Sequence, residues 1–146
     1  MHVPRSLDQA VRILIHLASK APKSHATLDE MIEAHSIARN SLLRILMLLK
    51  KAGLVLSRNS KGEDGEEYVL AFPAEEINLQ MIVDAVDSRS RWRMALSQKP
   101  LEKTTERKGK ALPAWREVEK AILKSLTDTL EGYTLDVMAL DAQYYL

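Results

Sequence analysis

Apolar side chains recur every three or four residues near the start of the chain. Leu7, Ala10, Val11, Leu14 and Ala18 fall on one helical face, and Ile13 and Leu17 widen it. That period predicts a helix over Leu7–Lys20. Ser6 with Gln9 has the form of a capping box, and Asp8 and Arg12, four apart, form a surface pair. Ala21-Pro22 ends the helix, because proline disfavours a helical residue before it. Pro22–Ala26 reads as a short polar turn. A second capping box, Thr27 with Glu30, opens a helix that runs to His35 and buries Leu28, Met31 and Ile32. After a link of three residues, Ser36-Ile37-Ala38, the period resumes. Leu42, Ile45, Leu46 and Leu49 form the buried stripe of a helix over Arg39–Ala52, and Gly53 suits the left-handed position beyond its end. Ile37 is an apolar plug between two helices packed at a steep angle.

The period then changes. Leu54–Arg58 and Glu67–Ala71 read as short strands on either side of a polar connector with two glycines, which predicts a β-hairpin. Pro73 closes it. Asn78 caps a helix over Leu79–Asp87 that buries Ile82, Val83 and Val86. Gln98–Leu112 is rich in Lys, Glu and Thr and reads as a loop. Pro113 then starts a long helix reaching Leu130, with a stripe of Trp115, Val118, Ile122, Leu126 and Leu130. Gly132 stops it, and a last short helix covers Leu135–Leu140. The stripe is long for a helix with only a small core to cover. Pairing with the same helix of a second copy would bury it.

Helix, tight turn, longer helix and β-hairpin, in that order, predict a winged helix-turn-helix. The fold class is mainly α with a small β-hairpin wing and a long C-terminal dimerisation helix. The division follows as 1–87 for the winged helix-turn-helix, 88–112 for a basic loop region, and 113–146 for the dimerisation helix and its short successor. No internal repeat is evident.

Net charge is +1, but it is distributed in blocks. Residues 1–57 carry +4, residues 58–87 carry −6, residues 88–124 carry +7 and the last 22 carry −4. Two basic blocks can serve a polyanion if the fold unites their faces, or they can be ordinary solvated helix surfaces. Ser88-Arg89-Ser90-Arg91-Trp92-Arg93 reads either as a nucleic-acid patch or as a surface turn whose Trp packs down. The chain has no cysteine, so disulfides, thiol redox chemistry and thiolate-ligated metal centres are excluded. His2, His16, His25 and His35 form no HxxxH pair and have no carboxylate at ligand spacing, so no metal site is expected. No nucleophile elbow, phosphate-binding glycine loop or paired-carboxylate site points to an enzyme. No apolar run approaches a membrane span and no secretory leader is seen, so the expected location is cytoplasmic.

Several stretches together carry a family resemblance. They are SLDQAVRILIHLA near the start, SIARNSLLRILMLLKKAGLV, YVLAFPAEEINLQMIVDAVD and the late LPAWREVEKAIL with YTLDVMAL. In combination they resemble the bacterial winged-helix regulators of the IscR, NsrR and CymR type, the Rrf2 family, over nearly the whole chain. The resemblance implies a homodimeric DNA-binding repressor or activator. In such a protein the long helix pairs subunits and the recognition helix reads an operator half-site. Three features depart from the family pattern. The cysteines that ligate a cluster between the fourth helix and the long helix are absent, so no iron–sulfur cofactor is expected, and Asp8 reads as the partner of Arg12 rather than a cluster ligand. The wing is longer than the family's Arg-Gly-x-Gly-Gly turn, and it is acidic, with four acids from Glu63 to Glu67, so phosphate would repel it. Ala38 stands where a capping Ser is common.

Arg39, Asn40, Ser41 and Arg44 are the expected base contacts, since the start of the second helix reaches base edges. The alternative is an ordinary exposed helix face. Lys50, Lys51 and Arg58 are expected phosphate contacts. Thr27 either presents amides to phosphate or only caps its helix. Leu43, Met47 and Leu48 make the third helix more apolar than a DNA-facing helix needs. The first reading is packing against helix 1 or another subunit, and the second is contact with thymine methyls. The expected partners are double-stranded DNA and a second copy of the chain, with an unknown small-molecule or protein effector and no membrane. A protein-interaction or effector-sensing module with weak or no sequence-specific DNA binding is the alternative.

Overall fold

The computed structural model describes residues 4–20, 24–59, 65–86 and 113–143. Its first helix, α1 (Arg5–Ser19), starts two residues earlier than the apolar period indicates. Pro4 occupies the N-cap with φ −54°, and its carbonyl accepts from Asp8 N–H at 3.1 Å. Proline has no N–H to leave unsatisfied, and its fixed φ leads into a helix. Ser6 is therefore already inside α1, no side chain caps the start, and the expected Ser6–Gln9 box does not form. Gln9 is buried instead.

A short strand follows where a polar turn was expected. β1 (Ala26–Thr27) pairs antiparallel with β3 (Glu66–Leu70), Ala26 opposite Tyr68 and Thr27 opposite Glu67. β2 (Val55–Asn59) pairs with the other edge of β3, giving a three-stranded sheet of order β1-β3-β2. Two residues are too few for an alternating pattern, so β1 leaves no signal of its own. The hairpin tip, residues 60–64, lies outside the described residues.

Helix α2 (Leu28–His35) opens as expected, with Thr27 Oγ1 accepting from Glu30 N–H at 3.2 Å. Ser36 turns the chain with φ +52°, and Ile37 is buried between α2 and the next helix. Helix α3 (Arg39–Lys51) begins without a side-chain cap at Ala38. It ends in a Schellman motif. Gly53, at φ +78°, donates to Lys50 O, and Leu54 N–H donates to Leu49 O, both at 3.0 Å. Leu49 and Leu54 are both buried, which supplies the apolar contact of that motif.

After β3 a 3-10 turn (Ala74–Glu76) leads to α4 (Leu79–Val86), whose cap is Asn78 Oδ1 accepting from Met81 N–H at 3.0 Å. The long helix α5 (Pro113–Gly132) and the last helix α6 (Leu135–Gln143) complete the chain. α6 folds back onto α1. Two backbone bonds fix its start, Leu135 N–H to Ile77 O at 2.8 Å and Leu79 N–H to Tyr133 O at 2.9 Å. Leu130 and Leu135 therefore join one core with Ile13 and Leu14 of α1, Ile45 and Leu49 of α3 and Ile82 of α4.

Candidate nucleic-acid interface

Helix α3 has two faces set by its period. Leu42, Ile45, Leu46 and Leu49 are buried, so the opposite stripe must face solvent. That stripe holds Asn40, Leu43, Arg44, Met47, Lys50 and Lys51, all exposed, with Arg39 exposed at the helix start. Ser41 lies at its margin and is half-buried. Leu43 and Met47 stand in the middle of the stripe at 40% and 61% exposure. Within the chain they are not enclosed, which leaves packing against another subunit and contact with thymine methyls as the readings of their apolar character. Only Leu48 is half-buried.

Three of the expected DNA-binding cations already face carboxylates. Arg39 Nη1 lies 3.1 Å from Asp29 Oδ1, Arg58 Nε lies 2.9 Å from Glu67 Oε2, and Lys50 Nζ lies 3.8 Å from Glu66 Oε1. Arg44 and Lys51 have no ion-pair partner among the described residues. In the sequence Glu66 and Glu67 stand out only as acids of the wing, and nothing marks Asp29, in the second helix, as a partner of Arg39. The β2–β3 register sets Arg58 directly opposite Glu67, whereas Arg39 of α3 meets Asp29 of α2, and Lys50 of α3 meets Glu66 of β3, through the packing of those elements. Glu66 also accepts from the buried Tyr68 hydroxyl at 2.9 Å. Burial, that hydrogen bond and the Glu66 charge push the Tyr68 hydroxyl up to about 12. Glu66 thereby ties the base of the wing to the last turn of α3. Thr27 is half-buried, with its hydroxyl used by the α2 cap.

A second polar group joins α1 to α2. The sequence reading missed it because its members are 14 and 19 residues apart, which no motif spacing covers. His35 Nε2 lies 3.0 Å from His16 Nδ1, and His16 Nε2 lies 3.3 Å from Glu30 Oε1. Lys20 also pairs with Glu30. Burial alone would raise the Glu30 carboxyl, but bonds and charge from Lys20, with help from His16 and the Thr27 amide, hold it below its usual value.

On α5 the apolar stripe divides. Trp115, Val118 and Ile122 are about half exposed or more, Leu126 is half-buried, and Leu130 is buried in the core of its own chain. The basic region from Arg89 to Arg93, with the loop to Leu112, lies outside the described residues.

The sequence profile of Rrf2, described as iron-dependent transcriptional regulators, matches residues 3–141. The chain belongs to the Rrf2 family. Its fold is that of solved Rrf2-type regulators. CymR (YrzC), the global cysteine regulator of B. subtilis, aligns with a TM-score of 0.74 at 22% identity, over 95% of this chain and 96% of that one. Oxidized CymR of Staphylococcus aureus aligns at 0.68 and 23% identity, over 95% and 96%. IscR of T. potens aligns at 0.71 and 21% identity, over 97% and 88%. This Rrf2 protein is a DNA-binding transcriptional regulator by family. The family's iron dependence meets a donor set that does not fit a thiolate-ligated cluster. The chain has no cysteine, and among the described residues no group of three or more His, Asp or Glu side chains could hold a metal ion. No helix among the described residues is long and apolar enough to cross a membrane.

Proposed function

We propose that this Rrf2 protein occupies an operator in double-stranded DNA as a homodimer without an iron–sulfur cluster, acting by binding rather than catalysis. The observation that carries the reading is the α3 stripe, whose exposed Asn40, Arg44 and Lys51 back onto a wholly buried apolar face. A helix so presented fits a major groove, where Asn suits adenine and Arg suits guanine. Arg39 and Ser41 flank the base contacts, and Lys50, Lys51 and Arg58 serve phosphates. Thr27 contributes through the amides at the start of α2, its hydroxyl being used by the cap. The exposed Trp115, Val118 and Ile122 supply the dimer seam, with Leu126 at its edge, and place two α3 helices about one duplex turn apart.

Selection of bound duplexes from genomic fragments, followed by anisotropy titration, tests this. A shared near-palindrome bound far more tightly than random duplex is the expected result, and Arg44→Ala should cost about 1–3 kcal/mol of specific affinity. Binding that is equal for all sequences and lost with salt would refute operator recognition by the protein alone. The pairing of Arg39, Lys50 and Arg58 with acids, beside exposed Leu43 and Met47, favours one second reading. In it the same face docks a protein or responds to an effector, and selection returns no motif.

A further inference from the structure

We infer that His16 and His35 form a binding site for one borderline divalent transition-metal ion, of the zinc class, with Glu30 as the outer partner of His16. Nothing in the DNA-binding role uses this group. His16 comes from the last turn of α1 and His35 from the end of α2, and their ring nitrogens Nδ1 and Nε2 approach to 3.0 Å. Imidazole nitrogens bind zinc at about 2.0–2.1 Å, so two of them on one ion stand about 2.9 Å apart at a right angle and about 3.3 Å apart at the tetrahedral angle. The observed separation falls inside that interval. The rings are nearly perpendicular, 76°, with centroids 5.0 Å apart. Two imidazoles sharing an ion at those angles have centroids about 4.5–5.2 Å apart.

The tautomers agree with this arrangement. Glu30, held ionised by Lys20, can only accept, so His16 Nε2 carries the proton and Nδ1 keeps its lone pair toward His35. A carboxylate on the far nitrogen of a ligating imidazole is the usual outer arrangement of metal-bound histidine. His35 must move its proton from Nε2 to Nδ1, which leaves it neutral, so binding releases no net proton. The nearby positive charges are Lys20, which pairs with Glu30, and Arg12, which pairs with Asp8 at 3.0 Å. With no third protein ligand among the described residues, water completes the coordination sphere. His16 is mostly shielded at 14% side-chain exposure, and His35 is half-buried, so the ion arrives from the His35 side. His35 directly precedes the turn Ser36–Ala38 that sets α3. A metal here staples α1 to α2 at the root of the recognition helix.

Calorimetric titration of Zn²⁺ into the full-length protein tests the site. One ion per chain is expected, with affinity falling at least about tenfold in His16→Gln and in His35→Gln, and about 10–100-fold in Glu30→Gln. His25→Gln should leave it unchanged. In the wild-type protein, imidazole nitrogen NMR should show Zn²⁺ shifting His16 Nδ1 and His35 Nε2, a readout that does not depend on any variant folding. Absence of binding, full binding in either His→Gln variant, or shifts confined to His2 and His25 would overturn the inference and leave the pair as a hydrogen-bonded contact. None of these outcomes depends on whether DNA is bound.

Discussion

Replacing Glu67 by Gln should strengthen DNA binding, although it adds no contact to DNA. Glu67 holds Arg58 at 2.9 Å on the wing stem, and the register sets the two opposite each other on β3 and β2. In the free protein that pair must open before Arg58 can meet a phosphate. An exposed ion pair of this kind contributes about 0.2–1 kcal/mol. The Glu67 charge also repels the duplex. At about 10 Å from a phosphate in water the repulsion is about 0.4 kcal/mol before screening, and near one Debye length salt reduces it to about 0.15 kcal/mol. The two effects add to about 0.4–1.1 kcal/mol, a two- to sevenfold gain in affinity. Arg58 meets the same phosphate in both proteins, so the gain should appear as an offset of the plot of log affinity against log salt with nearly the wild-type slope. Anisotropy titrations of wild type and Glu67→Gln on one duplex, at several salt concentrations, read both quantities. Unchanged affinity at every salt concentration would show that Arg58 lies outside the footprint and would remove the wing stem from the interface.

Other variants isolate other parts of the structure. Ile122→Glu places a charge in the exposed α5 stripe and should yield a monomer by sedimentation with the helix content of wild type; a dimer would refute pairing through that stripe. Gly53→Ala meets no atom within 4 Å but keeps φ +78°, so it should cost about 1 kcal/mol by denaturant melt through backbone strain alone. The folded Tyr68 hydroxyl titrates near 12, above its ordinary 10, so its contribution is complete below pH 10 and is lost as pH rises toward 12. Alkaline melts of wild type should show that loss and those of Tyr68→Phe should not. Leu46→Ala, at a fully enclosed position, should cost about 2–5 kcal/mol and lower the melting midpoint.

The helices were legible because each carries a long apolar period and a chemical stop. Thr27 and Asn78 cap with the side-chain oxygens that suggested the role, and Gly53 takes the left-handed position that the lack of a Cβ permits. What escaped were features with no periodic signature. β1 is two residues long and exists only because β3 offers it an edge. Ser6 and Gln9 matched a capping pattern, but Pro4 preset the helix earlier. On the interface, the placement of Asn40, Arg44 and Lys51 on one stripe followed from spacing, while the neutralising acids did not, since cross-strand register pairs Glu67 with Arg58 and the packing of α3 on α2 and β3 brings Asp29 and Glu66 to Arg39 and Lys50. Leu43 and Met47 were noticed as surplus apolar residues, and only the fold shows them open to solvent. The histidine pair depends on how α1 crosses α2, which no local pattern encodes.

The burial of Leu130 with Leu135 anchors one end of α5 in the same core that supports α3. Toward the other end Trp115, Val118 and Ile122 are about half exposed or more. α5 spans twenty residues, so it is a lever about 30 Å long with its fulcrum in the DNA-binding core. A tilt of only about 6° at the fulcrum carries the far end through about 3 Å, nearly the 3.4 Å rise of one base pair. In a dimer gripped at the far ends, the same small rotation would instead swing the two recognition helices out of step with successive grooves. A modest repacking around Leu130, far from any base, would thus be geared into the fit between protein and operator.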